Sequence, residues 1–355
     1  MNVARYQTAT HFHQANGTPH NITHCLSMPL TYVTDAEPGY TRRKSGKGFS
    51  YYTPDGDRVT DKVEIARINA LGIPPAYTQV WICTNPEGHL QATGRDAKGR
   101  KQYRYHPDWT VSQNLTKYSR MVTFAQHLPR IRRHIRAQMN QPGLGRAKII
   151  ATAINLLEVT LIRIGNEDYA RTNKSYGLTT LRNRHVQVKG QELRFRFIGK
   201  SGKEWNLSLT DHRVAKVIRA CQELPGQRLF QYKDEDGEYR ALSSHDINDY
   251  LRELTGDDIS AKDFRTWAGT VLAYTEISKL ERPDSLTAIR KCLTGVVKQV
   301  AAKLGNTPAI CRKCYIHPAV FQQFETGVLV NEKIINSRGL TKREQLTLAV
   351  LQSAS

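Results

Sequence analysis

The sequence predicts an α+β protein in which a small β-rich domain over 34–108 precedes a mostly helical domain over 109–327. Three observations predict it. Before residue 106, short alternating apolar runs are broken by Gly, Asp and Pro, the pattern of strands joined by tight turns. After residue 145, Ile149, Ile150, Ile154, Leu157 and Leu161 recur at helical spacing. Between them the charge pattern changes: from Trp109 to Leu157 there is no Asp or Glu, while eight Lys and Arg occur.

Length and composition set the outer bounds. A chain of 355 residues with 39% hydrophobic residues has room for two or three domains and a sizeable core. Its net charge of +20 favours a polyanionic partner, and nucleic acid is the first such partner to consider. No apolar run approaches the ~18 residues that span a bilayer, and no basic-then-apolar leader pattern opens the chain. The six cysteines are scattered, and the one C-x-x-C, Cys311 with Cys314, has no second pair at zinc-ribbon spacing. These features are expected of a cytoplasmic protein with no metal site.

Residues 1–33 read as a polar arm, possibly flexible, whose histidines (His11, His13, His20 and His24) lack partners at ligand spacing. Residues 41–48 read as a basic, glycine-containing turn, 49–52 as a strand and Asp55-Gly56 as a turn. Asp61 is placed to cap a short helix reaching Leu71, and 80–83 and 90–93 read as paired strands. Residues 94–106 then mix basic groups suited to phosphates with amide and aromatic groups suited to bases and sugars, among them Gln102, Tyr103 and Tyr105.

In the acid-free run, Arg130, Arg132, Arg133 and Arg136 concentrate on an expected helix, which we assign to a DNA-facing surface. Arg163 follows an apolar run, so its guanidinium is expected to be partly buried beside an anion, either Glu167 or a bound phosphate. Residues 185–188, 193–198 and 205–209 read as a small antiparallel sheet, with Gly199-Lys200-Ser201-Gly202-Lys203 as one of its turns. After 210 the chain reads as mainly helical, with helices over about 261–277 and 284–303 and an unassigned tail over 328–355.

The helices lead into Gly305-Asn306-Thr307-Pro308, where the Thr-Pro pair can start a new helix, and on to Arg312-Lys313-Cys314-Tyr315. A phenol with a pKa of about 10 is a weak nucleophile. It becomes effective where cationic donors stabilise the charge that develops as it attacks.

Five motifs in one order resemble the type IB DNA topoisomerases, most closely their small poxvirus-like bacterial members: 94–106, 163–181, Gly199-Lys200, Lys262-Asp263-Phe264-Arg265-Thr266, and 305–315. The resemblance covers about residues 29–327. It implies a β-rich N-terminal domain and a helical catalytic domain that close as a C-shaped clamp on double-stranded DNA, in a monomer of the bacterial nucleoid. Tyr315 would attack a backbone phosphodiester, forming a 3′-phosphotyrosyl link and expelling a 5′-hydroxyl. Arg163 and Arg265 would hold phosphate oxygens, and Lys200 would protonate the leaving oxygen, with Lys203 in the same turn as the alternative. Asn306 stands where poxvirus and eukaryotic members carry histidine, so it would donate a hydrogen bond without exchanging a proton. Gln102, Tyr103, Tyr105 and Tyr169 would touch DNA. No cofactor would be required, neither ATP nor metal. The alternatives are a tyrosine recombinase, which usually has His-x-x-Arg where this chain has Lys262-x-x-Arg265, and a non-catalytic DNA-binding protein.

Overall fold

The computed structural model describes residues 30–327 and 338–354. The histidines of the N-terminal arm and positions 328–337 of the expected tail lie outside the described residues. The chain divides into two units, Met1–Asn114 and Leu115–Ser355, a few residues past the expected boundary.

The first unit is a five-stranded antiparallel sheet with one helix. Its strands are β1 (Tyr40–Ser45), β2 (Gly48–Tyr52), β3 (Thr78–Ile82), β4 (Leu90–Arg95) and β5 (Lys101–Tyr105), in the order β2-β1-β3-β4-β5. Helix α1 (Lys62–Ala70) starts where Asp61 accepts from the Val63 amide, and its Ile68 packs on Tyr51, Val80, Ile82 and Ala92. The region read as a basic turn is instead strand β1 with a short turn at Gly46. Its cations hid the alternation: Arg42 folds onto the Phe49 ring and donates to the carbonyls of Ile73, Pro74 and Tyr77. β5 forms a sheet edge, and there Tyr103 and Tyr105 are exposed and stacked, 6.0 Å between centroids.

The second unit is mainly helical. Helix α2 (Pro107–Met139) buries Met121, Phe124, Leu128, Ile131, Ile135 and Met139 at three- and four-residue spacing and runs through Pro129. Helix α3 (Arg146–Thr160) is central, with Ile149, Ile150, Ile154, Leu156 and Leu157 all fully buried. Each such side chain stabilises the fold by about 1.5–3 kcal/mol. A short α4 (Glu167–Asn173) leads to the three-stranded sheet β6 (Val186–Lys189), β7 (Glu192–Ile198) and β8 (Glu204–Thr210), as expected.

Next come α5 (His212–Gln222), a hairpin of β9 (Gln231–Lys233) and β10 (Tyr239–Ala241), and α6 (Ser244–Thr255). The hairpin departs from the helical reading of this region; its strands are too short to show an alternation. The remaining helices are α7 (Ala261–Ile277), α8 (Leu286–Leu304), α9 (Pro308–Cys314), α10 (Pro318–Thr326) and α11 (Lys342–Ser353). The last belongs to the core, because Leu348, Val350 and Leu351 are buried with the residues of α3 and α7.

The acid-free run, over α2 and the start of α3, finds its carboxylates far away in sequence. Arg120 pairs with Asp258, His127 with Asp257, and Arg146 with Asp246. Arg132 corrects the DNA-facing assignment most directly. Its guanidinium is bound to Glu158 at 2.6 Å and Glu344 at 2.7 Å and donates to the Gly339 carbonyl. Its fork is therefore committed inside the unit, tying α11 to α2 and α3. Arg133, one position on, is exposed, beside Arg130.

Candidate active site

Arg163, Lys200, Lys203, Asn306 and Tyr315 line one cavity of about 550 Å³. They arrive from four different local structures. Arg163 follows the end of α3, where Leu161 takes a left-handed conformation (φ 57°) and turns the chain out of the helix. The Arg163 carbonyl then accepts from the Leu178 amide at 2.8 Å, which fixes this segment. Lys200 and Lys203 lie in the β7–β8 turn, where Ser201 is also left-handed (φ 64°). Asn306 occupies the joint between α8 and α9, after Gly305 (φ 61°) closes α8 and before Thr307 caps α9. Tyr315 is the residue that ends α9.

Trp205 connects two of these pieces. A Cβ on Gly199 would lie 2.7 Å from its indole nitrogen, and one on Gly305 would lie 3.0 Å from its ring. The indole is thus wedged between the lysine turn and the Asn306 joint, and it stacks on Phe197 with centroids 5.9 Å apart. The tyrosine is anchored through its backbone. Thr270 on α7 donates to the Tyr315 carbonyl at 3.4 Å and accepts from the His317 amide at 3.1 Å. Gly269 beside it lets the chain pass: a Cβ there would sit 2.4 Å from the Tyr315 carbonyl oxygen. The Tyr118 hydroxyl donates to the carbonyls of Lys313 and Ile316, and burial pushes its phenol pKa up to about 12. Trp205, Gly269, Thr270 and Tyr118 were not singled out from sequence, because only the tertiary packing gives them a role.

Arg265 sits beneath the tyrosine. It is buried, its Cζ is 5.3 Å from the Tyr315 ring centroid, and one terminal nitrogen donates to the Leu304 carbonyl at 2.7 Å. The other donates to the carbonyl of left-handed Leu161. Burial, reinforced by the nearby charge of Arg163, pushes its pKa down to about 10, which leaves it a cation at neutral pH. Arg163 is shifted down by burial too, while the Tyr315 phenol favours the charged form of both arginines.

The hydrogen-bond accounts of these groups do not close. Arg163 donates to the Gly305 carbonyl at 3.1 Å and to the Asn306 side-chain oxygen. That leaves one terminal nitrogen of Arg163, Nε of Arg265 and the amide nitrogen of Asn306 buried and without a partner. All three are donors. Buried donors that lack acceptors are costly; Arg163 and Asn306 line the cavity with two lysines, and Arg265 lies against the Tyr315 ring, an arrangement suited to an oxyanion. Glu167, the alternative partner for Arg163, is bound to Arg228 instead. Among the described residues no group of His, Cys, Asp or Glu is arranged to hold a metal ion.

The remaining expected contacts are described each within its own unit. Tyr169 lies 5.7 Å from the Lys200 ammonium, ring centroid to nitrogen. Gln102 donates to Asp96, and Tyr103 and Tyr105 stand on the β5 edge of the first unit.

A phenol, two guanidiniums and an amide donor gathered together suit chemistry on a phosphoester, and the comparisons with known proteins give the class. Residues 99–338 match the family described as eukaryotic DNA topoisomerase I, catalytic core, and residues 48–96 match the bacterial DNA topoisomerase IB N-terminal domain. The chain is 33% identical to DNA topoisomerase 1B of Acanthamoeba polyphaga mimivirus over 285 residues, 78% of this chain and 85% of the relative. It is 22% identical to DNA topoisomerase 1B of vaccinia virus (strain Copenhagen) over 69% of this chain and 75% of the relative. With DNA topoisomerase 1 of Schizosaccharomyces pombe it shares 29% identity over 51% of this chain and 21% of the relative. The chain belongs to the type IB DNA topoisomerases. It is a DNA topoisomerase with DNA as its substrate, and no helix among the described residues is long and apolar enough to cross a membrane.

Proposed function

We propose that Tyr315 is the nucleophile and that the protein relaxes supercoiled duplex DNA through a 3′-phosphotyrosyl intermediate. The observation that carries this reading is the set of three buried, unpartnered donors on Arg163, Arg265 and Asn306. As the phenolic oxygen attacks, negative charge collects on the equatorial oxygens of the phosphorane, and fixed donors there lower the barrier. The guanidinium forks of Arg163 and Arg265 fit that task, and the Asn306 amide adds a neutral donor. The new bond joins the Tyr315 oxygen to phosphorus as the phenolic proton passes to solvent, and the bond to the 5′ oxygen breaks. Lys200, from the β7–β8 turn, gives that oxygen its proton. Religation is the reverse displacement by the 5′-hydroxyl.

Because the phosphotyrosyl ester keeps the energy of the broken bond, no ATP enters the cycle, and the cations supply the charge stabilisation with no metal required. On this reading the protein acts as a monomer on cytoplasmic nucleoid DNA. Gln102, Tyr103 and Tyr105 of the first unit and Tyr169 and Arg133 of the second touch the duplex, and the two units close on it as a C-shaped clamp. Relaxation of supercoiled plasmid in EDTA without ATP tests the proposal, with Tyr315→Phe beside wild type. Relaxation by wild type alone is expected. Relaxation by the variant would refute the nucleophile, and a strict need for ATP or metal would refute the energetic account.

A further inference from the structure

Tyr315 lies in a short joint between two helices. α9 ends at Cys314, and Tyr315 itself leaves the helical region (φ −131°, ψ −3°). His317 then caps α10, its Nδ1 accepting from the Ala319 amide at 3.1 Å. The last carbonyls of a helix have no partner inside it. α9 has seven residues and no left-handed cap to fold the chain back over them, so donors from outside take them up.

Tyr118 is such a donor, and it spans the whole joint. From α2 its hydroxyl lies 3.2 Å from the Lys313 carbonyl, in the last turn of α9, and 3.2 Å from the Ile316 carbonyl, just past Tyr315. Its ring meets the His317 ring edge-on, with centroids 4.7 Å apart. One side chain thus touches the end of α9, the residue after the tyrosine and the first residue of the next helix. Ile316 between them is fully buried. Thr270 on α7 holds the same joint at the Tyr315 carbonyl and the His317 amide. The carbonyls of 313, 315 and 316 therefore take donors from two other helices, while Tyr118 stands outside the lining of the catalytic cavity. Its phenol is built for holding rather than attack, since burial keeps it protonated well above neutral pH.

We propose that Tyr118 is a positioning residue for the nucleophile: its hydroxyl fixes the backbone on both sides of Tyr315 and so the approach of the phenolic oxygen to phosphorus. The inference rests on the role given to Tyr315. A reacting atom held in line gains rate in both directions, because the Tyr315 oxygen attacks in cleavage and leaves in religation. Loss of the Tyr118 hydroxyl therefore slows both steps by a similar factor and leaves the equilibrium between them where it was. A residue that protonates the leaving oxygen behaves differently, since a 5′-bridging sulfur relieves its loss.

The experiment uses Tyr118→Phe in the full chain, which keeps the ring and its contact with His317 and removes only the hydroxyl. Wild type and variant are compared in single-turnover cleavage of a suicide duplex, in religation by an added 5′-hydroxyl strand, and on the duplex with a 5′-bridging sulfur. Duplex affinity and thermal melting are measured alongside. We expect cleavage and religation each to slow about tenfold, with no rescue by sulfur and with duplex affinity unchanged. Replacing Tyr118 with p-aminophenylalanine, whose N–H can donate in place of the hydroxyl, is expected to restore much of the rate. Wild-type rates in Tyr118→Phe would overturn the proposal. So would a slowing that follows weaker duplex binding, or one that p-aminophenylalanine leaves unrestored. Mass spectrometry of the wild-type adduct separates this result from the nucleophile assignment. With the nucleotide on Tyr315, a failure concerns the role of Tyr118 alone; a nucleotide on any other tyrosine, Tyr118 included, overturns both.

Discussion

Arg163 donates to the side-chain oxygen of Asn306, and this contact orients both residues. An arginine has no acceptor, so the amide must offer its oxygen, and its nitrogen is left as a buried donor without a partner. Asparagine thus contributes a fixed hydrogen-bond donor where a histidine would bring a titratable one. With no proton-exchanging group at that position, the proposed mechanism gives leaving-group protonation to the lysine turn.

That division of labour predicts a pattern of rescue. A substrate with a 5′-bridging sulfur has a leaving group that needs little protonation. Lys200→Ala is expected to be slow on ordinary DNA and largely restored on the sulfur substrate. Arg265→Ala is expected to lose roughly 10²–10³ in single-turnover cleavage on both, since the phosphorane oxygens still need their donor. Asn306→Ala should follow Arg265→Ala with a smaller loss. Rescue of Lys203→Ala in place of Lys200→Ala would move the general acid to the other end of the turn.

Gly269 sets how closely α7 approaches the tyrosine. Gly269→Ala puts a methyl 2.4 Å from the Tyr315 carbonyl oxygen, so the backbone there must move. Displacement by about 1 Å costs up to roughly 10²-fold in a positioned reaction. The variant is expected to bind duplex normally and cleave one to two orders of magnitude more slowly, as measured in a single turnover. An unchanged rate would show that the Tyr315 position tolerates the shift.

Arg132 and Arg133 are adjacent and should separate cleanly. Arg132→Ala leaves Glu158 and Glu344 half-buried or buried without their shared cation, and is expected to cost about 3 kcal/mol in denaturant unfolding. Arg133→Ala should leave stability nearly unchanged and reduce the log–log salt slope of duplex binding by about 0.9, one phosphate contact. The reverse result would restore Arg132 as a DNA contact.

His185 gives the fold an acid-side pH dependence. Burial, with Arg184 and Arg182 adding to it, lowers its pKa from 6.5 to about 4, and its Nδ1 accepts from the Arg182 amide in the neutral form. The unfolded chain therefore binds the proton more readily than the folded one. The contribution is fully present above pH 6.5 and is lost as pH falls towards 4. Its size is about 3 kcal/mol. Unfolding free energies of wild type and His185→Gln, measured from pH 4 to 7.5, should show this slope in the first and a flatter profile in the second.

The local setting of each candidate residue was legible in the sequence, while their roles and their assembly into one site came only from the resemblance of five motifs in one order. Arg163 after an apolar run, Lys200 in a turn between alternating segments, Arg265 on a periodic helix and Asn306 before Thr-Pro are all readable from near neighbours. Other parts were not. Whether Arg132 faces solvent or core depends on Glu344, more than two hundred positions away, so a charge run could not reveal it. Gly269, Thr270 and Trp205 act through contacts that only the folded chain creates. Strand β1 was hidden by its cations, and the β9–β10 hairpin by its brevity.

The identity of the attacking residue is the central claim, and a trapped adduct tests it most directly. A suicide duplex carrying a short strand beyond the scissile phosphate, incubated with the full chain, denatured and digested, leaves the nucleotide on the peptide that bore the nucleophile. Mass spectrometry is expected to find it on the peptide containing Tyr315, with no adduct in Tyr315→Phe despite retained duplex binding. An adduct mapped to any other of the 16 tyrosines would contradict the account.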